Sequence, residues 1–185
     1  MAYYQKVNCD IRTKLLVELV INNHPDFAEG TILYQSIISN PNFFNLTHLV
    51  EDMMAKNSND QYIFTDEPHQ DYSDESECKT GTLHIFDKIG CGQAEISNVK
   101  TSAGVLKKGA IRAVVLNPKL KKLHFVFIPK KALRDIMTTR DGEIKTKSSA
   151  LLTYTIADDS FSKFFKKYGI IEFNTFKELA MEPNY

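Results

Sequence analysis

A mixed α/β (α+β) fold, with a central mixed β-sheet flanked by helices, is what the sequence predicts, and three observations predict it. The first sixty residues carry apolar side chains at helical spacing, residues 77–128 include runs rich in Val, Ile, Thr and Phe, and the last fifty alternate short strand and helix patterns. Elements in that order bury their apolar faces by packing helices on a sheet. A length of 185 residues predicts one domain, residues 1–185. Within it, 1–60 is the helical part, 61–137 the sheet, and 138–185 a closing strand and helix part.

Each element has a local cause. Over 11–22, Ile11, Leu15, Leu16, Leu19 and Val20 trace one helical face, with Asp10 as N-cap. His24-Pro25-Asp26 marks a turn. A second helix over 31–38 is stopped by Asn40-Pro41-Asn42, and a third over 46–55 is capped by Asn45 or Thr47. After the polar loop 56–60 come a short strand at 62–64, an acidic stretch from Asp66 to Ser76, and a strand over 77–86. The clearest strands are 110–116 and 123–128, joined by the hairpin loop 117–122. Gly90-Cys91-Gly92 reads as a tight turn. Pro129 ends the second of those strands and a helix over 130–137 follows. A turn at 139–142 leads to a strand over 149–156. A helix over 160–168, capped by Asp158 or Asp159 and closed by Gly169, precedes the last elements at 170–173 and 175–181.

Composition narrows the function classes. Apolar residues are 43% and charged residues 25%, and twelve Phe and eight Tyr supply a core without Trp. No run of about 18 apolar residues exists, so a membrane-spanning helix is not expected, and residues 1–6 lack a signal-peptide pattern. Cys9, Cys78 and Cys91 are too few and too scattered for a disulfide framework or a zinc finger, which predicts a reducing, cytoplasmic setting. The net charge of zero hides a split: residues 1–95 hold 6 Lys/Arg against 15 Asp/Glu, and residues 96–185 hold 17 against 8. A basic half of this kind suits an anionic partner, although two such halves can also pair within a fold.

The segment from Asp71 to Thr80 carries the most chemistry. Glu77 and Lys79 fall on one face of a strand, because side chains alternate with period two. An Asp at the preceding turn can converge on that face. Two carboxylates and a main-chain carbonyl make a hard oxygen site suited to Mg²⁺ or Mn²⁺. Such an ion polarises a phosphate and lowers the pKa of a bound water. A neighbouring lysine can orient that water and steady developing charge. An isolated Glu-x-Lys is commonly a solvated strand edge. Here it opens a strand with an apolar continuation, Leu83-His84-Ile85-Phe86, and a basic half follows.

Asp71-x5-Glu77-x-Lys79 resembles the metal-site motif of the PD-(D/E)XK, or restriction-endonuclease-like, nucleases, in the compact form found in the mismatch-repair strand-nicking endonuclease and small type II restriction enzymes. The likeness is close over about ten residues and topological over the middle half of the chain. It implies a restriction-endonuclease-like fold and Mg²⁺-dependent hydrolysis of double-stranded DNA, sequence-specific and carried out by a homodimer on a palindromic site. It implies Asp71, Glu77 and the Cys78 carbonyl as metal ligands and Lys79 as the catalytic lysine. Gln70 stands where the family often has Pro, and Asp66 and Asp74 are alternatives for the first carboxylate. Family members often add an acid from an early helix. Glu18 and Glu51 are available, and both are read as solvated helix positions.

Lys100, Lys107, Lys108 and Arg112, with Asn98, form the expected nucleic-acid contact set, and Lys130 and Lys131 belong to the same basic cluster. Lys119, Lys121 and Lys122 read equally well as a solvated hairpin tip. Ser97 and Ser102 are within reach of base edges, and His69 lies beside the acidic loop. His84 and His124 read as packed or cross-strand residues. Glu95 and Lys100, five apart, point to opposite faces of a strand. The alternative reading is a non-enzymatic nucleic-acid-binding or regulatory module that uses the basic half.

Overall fold

The structure, a computed structural model, describes residues 10–67, 70–86, 90–101, 103–107 and 109–184, without the side chains of Asp66 and Glu67. Cys9, His69, Ser102, Lys108 and the Asp66 side chain therefore lie outside the described residues.

Three helices open the chain. In α1 (Ile11–Asn23), α2 (Ile32–Ser39) and α3 (Leu46–Lys56), the side chains of Asp10, Thr31 and Asn45 accept from backbone N–H groups of the first turn. Each satisfies a donor that the helix leaves unpaired; the sequence predicts the Asp10 and Asn45 caps, whereas Thr31, expected as the first residue of its helix, is its cap. Next, β1 (Phe64–Glu67) and β2 (Gln70–Tyr72) form a two-stranded antiparallel ribbon. The strand expected at 62–64 starts two residues later, and the buried Tyr62 hydroxyl ahead of it donates to the Ala180 carbonyl at 2.7 Å.

The main sheet has six strands. They are β3 (Glu77–Phe86), β4 (Cys91–Ile96), β5 (Ile111–Asn117), β6 (Lys122–Ile128), β7 (Ala150–Thr155) and β8 (Ile171–Phe173), in the spatial order β7-β4-β3-β5-β6-β8. β3 and β5 are parallel and every other neighbour is antiparallel. The sheet is thus mixed, and both of its edges come from the last third of the chain. β4 replaces the tight turn expected at 90–92. Gly90, with φ of +67°, makes the turn, and Gly92 sits inside the strand, where a Cβ would come within 2.9 Å of the Ile85 side chain.

Alternation along β5 divides the core. Val114, with Cys78 and Phe127, faces α1, α2, α3 and α6 (Phe176–Met181). Ile111, Ala113 and Val115, with Leu83, face α4 (Lys130–Met137) and α5 (Ser162–Tyr168). All seven residues of β5 are buried, which is why that run reads so clearly as a strand. α5 starts two residues later than expected and is not capped by an Asp side chain. Asp159 instead adopts a left-handed conformation, with φ of +44°. Among the described residues, no helix is long and apolar enough to cross a membrane.

The β4–β5 connection matters most for the site. β4 runs antiparallel to β3, so the chain leaves β4 at the end where β3 begins, and it enters β5 beside Glu77. The Glu77 amide donates to the Ala110 carbonyl at 3.0 Å. Gly109 lies so close to the preceding turn that a Cβ there would sit 1.6 Å from the Glu75 carbonyl oxygen. Only glycine lets the connection lie this close to the start of β3.

Candidate active site

The β2–β3 turn brings Asp71 to the Glu-x-Lys strand. The amides of Asp71 and Tyr72 both donate to the Ser76 carbonyl at 3.2 Å, which folds the chain back sharply. Asp71 Oδ2 then accepts from the Cys78 amide at 2.8 Å, so its carboxylate reaches the backbone of β3 one residue past Glu77.

Glu77 is buried and held by two lysines. Lys107, from the β4–β5 connection, donates to its Oε1. Lys79 Nζ is 3.3 Å from its Oε2 but off the direction of a hydrogen bond, so Oε2 is an enclosed carboxylate oxygen without a hydrogen-bond partner. The period-two expectation that Glu77 and Lys79 share a face agrees with this contact.

A third carboxylate approaches from α3. The Tyr72 hydroxyl donates to the Glu51 carbonyl at 2.9 Å and ties α3 to β2. Burial, and then the negative charge of Asp71, push the Glu51 carboxyl above the usual glutamate range. A hydrogen bond from His48 and the charge of Lys79 offset part of that rise. Reading Glu51 as a solvated helix position is therefore corrected: it is half-buried and feels Asp71. Nothing in the helical pattern of 46–55 marks it out, because the burial comes from strands of the following segment packing against α3.

An acid with a raised folded pKa holds more protons folded than unfolded. The stability it contributes is therefore lost as pH rises through a window starting at the ordinary value of 4.5. Glu51→Gln removes that loss. Its melting temperature in EDTA is expected to exceed that of the wild type at pH 8 and to match it near pH 4. An equal difference at both pH values would show that Glu51 is not a strained acid.

Several expected site residues lie elsewhere. Arg112, expected at the nucleic-acid interface, is fully buried. Its Nη2 is 3.1 Å from Asp74 Oδ2 and donates to the Glu182 carbonyl at 2.5 Å, its Nη1 donates to Ser76 Oγ, and its guanidinium stacks 4.2 Å over Tyr62. It cannot touch a ligand from there. Asp74, also bonded to the Ser76 amide and hydroxyl, is occupied by this cluster and is removed as the first carboxylate.

Lys107, expected on phosphates, has its ammonium on Glu77. Lys100 donates to the Lys145 carbonyl at 2.6 Å and joins two loops. Asn98 is exposed in the β4–β5 connection, with φ of +55°. The Cys78 thiol is buried on the opposite face, towards the first three helices, and burial pushes its pKa up, so it is no nucleophile. Glu95 accepts from Ser149 Oγ at 2.5 Å and has no part in the site.

Two observations bear on a cation. The enclosed Glu77 Oε2 and the repulsion between Glu51 and Asp71 are both relieved by positive charge, and carboxylates with a main-chain carbonyl are hard donors. Yet no group of three or more His, Cys, Asp or Glu side chains among the described residues is placed to hold a metal ion, and two lysine ammonium groups already contact Glu77. The donors fit Mg²⁺ in kind, and Glu77 would have to release Lys107. Compared with family models, curated proteins and solved structures, the chain matches none.

Proposed function

We propose that the chain is a Mg²⁺-dependent endonuclease of the PD-(D/E)XK type that hydrolyses phosphodiester bonds of double-stranded DNA. The observation that supports this reading is the Asp71 carboxylate on the Cys78 amide, one residue past Glu77, whose own carboxylate contacts Lys79, with Glu51 close enough to feel Asp71. Asp71, Glu77 and the Cys78 carbonyl are the oxygen donors for the ion, with Glu51 beside them. When bound, Mg²⁺ (or Mn²⁺) supplies phosphate polarisation and a more acidic water. Lys79 orients the attacking water and steadies charge on the phosphate. Sequence-specific cutting by a homodimer is the expected form, because twofold symmetry matches a palindromic site.

The second reading is a nucleic-acid-binding module without catalysis. It is favoured by the pairing of Glu77 with Lys107 and Lys79, which leaves the strand resembling a structural ion-pair cluster.

Incubation of purified protein with plasmid and genomic DNA, in Mg²⁺ and in EDTA, separates the two on a gel. Discrete fragments only with Mg²⁺ are the expected result. A metal-dependent smear keeps the nuclease and removes its sequence specificity. Intact DNA under Mg²⁺ and Mn²⁺, from folded protein that still retards DNA, refutes the nuclease and leaves the binding module.

A further inference from the structure

We propose that a groove between the β4–β5 connection and α4 is the track for one DNA backbone strand leading to Glu77. This rests on the nuclease reading and names where its substrate lies. The groove encloses about 230 Å³ and is lined by Val105, Leu106, Lys107, Lys130, Leu133 and Arg134. Three of the six are cations and none is an acid. Lys107 is the same residue whose ammonium contacts Glu77, so one side chain links the wall of the groove to the candidate site.

Arg134 also lines an adjoining groove of about 580 Å³ towards the C-terminal end of α4. The one acid there, Asp135, is already paired with Lys131 at 2.8 Å. Lys130 and Arg134 are exposed, four apart on one helix face, and neither forms an ion pair among the described residues. Two unpaired cations beside an apolar floor, linked to the candidate site through Lys107, are complementary to a phosphate backbone with sugars facing the wall. Arg134 was outside the contact set expected from the sequence. Its place in α4 becomes meaningful only once the β4–β5 connection lies against it.

Fluorescence anisotropy of a labelled duplex in EDTA, over a salt series, tests this without cleavage. The groove variant is Lys130→Glu with Arg134→Glu. The charge-matched control is Lys121→Glu with Lys122→Glu, at the β5–β6 hairpin on the opposite sheet end from Glu77. The groove variant is expected to lose affinity about tenfold or more and to flatten the log–log salt slope by about 2, while the control stays within about threefold of the wild type. Both pairs are exposed, so circular dichroism should be unchanged. Equal losses in the two variants would reduce the effect to net charge and overturn the groove. Wild-type affinity in the groove variant would overturn the groove while leaving the nuclease in place. A wild type that binds no DNA at any salt would overturn both.

Discussion

Glu77→Gln is expected to lower Mg²⁺-dependent DNA cleavage by at least about a thousandfold, equivalent to about 4 kcal/mol of transition-state stabilisation. Glutamine keeps the volume of a side chain that is only 3% exposed, so the substitution removes charge without opening a cavity. It also frees the ammonium groups of Lys107 and Lys79 from their shared carboxylate. DNA affinity in EDTA should therefore stay within about threefold of the wild type or rise slightly, since phosphate contacts set that affinity. Lys79→Met should lower cleavage by about 10²–10⁴-fold, the usual range for a group that assists proton transfer. A cleavage time course, with melting curves to check the fold, decides the matter. Cleavage by Glu77→Gln at the wild-type rate would remove this carboxylate from the chemistry and with it the assignment of the site.

Arg112→Ala is expected to destabilise the protein by about 3–5 kcal/mol, the usual effect of removing one partner from a buried ion pair. The substitution strands the Asp74 carboxylate, leaves the Glu182 carbonyl and the Ser76 hydroxyl without their donor, and opens space beside Tyr62 and Phe127. For a chain of this length the melting temperature should fall by roughly 10 °C. Adding Asp74→Ala should restore part of the loss, because the stranded charge goes with it. If Arg112→Ala melted with the wild type and only DNA affinity fell, the residue would be a surface contact after all. That outcome is incompatible with its complete burial.

The two residues show why part of the site was legible and part was not. Glu77 and Lys79 are two apart on a strand, and strand geometry alone places them on one face. Asp71 is six residues upstream of Glu77, near enough for one turn to return it, though sequence reasoning left Asp66 and Asp74 open. The structure separates two of them through hydrogen bonds: Asp71 reaches the Cys78 amide, while Asp74 is held by Ser76 and Arg112, and the Asp66 side chain lies outside the described residues. Arg112 carries the same charge as the lysines around it, so the sequence offered no sign that it points inward. Burial turned it from an expected phosphate contact into a structural ion pair.

What the sequence by itself determined was local: the caps of Asp10 and Asn45, the period-two faces of β3, the unbroken apolar run of β5, and the Glu-x-Lys pair. Each follows from bonds or side-chain directions spanning a few residues. Only the tertiary structure decided the sheet order, with β7 and β8 at its edges, and the contacts Lys107–Glu77 and Arg112–Ser76, which bridge 30 and 36 residues. It also set Glu51 beside Asp71. The physical reason is that charge and period describe a side chain's chemistry and local direction. Its burial and its partner depend on which distant segment packs against it, and here that segment is a connection drawn close by a glycine.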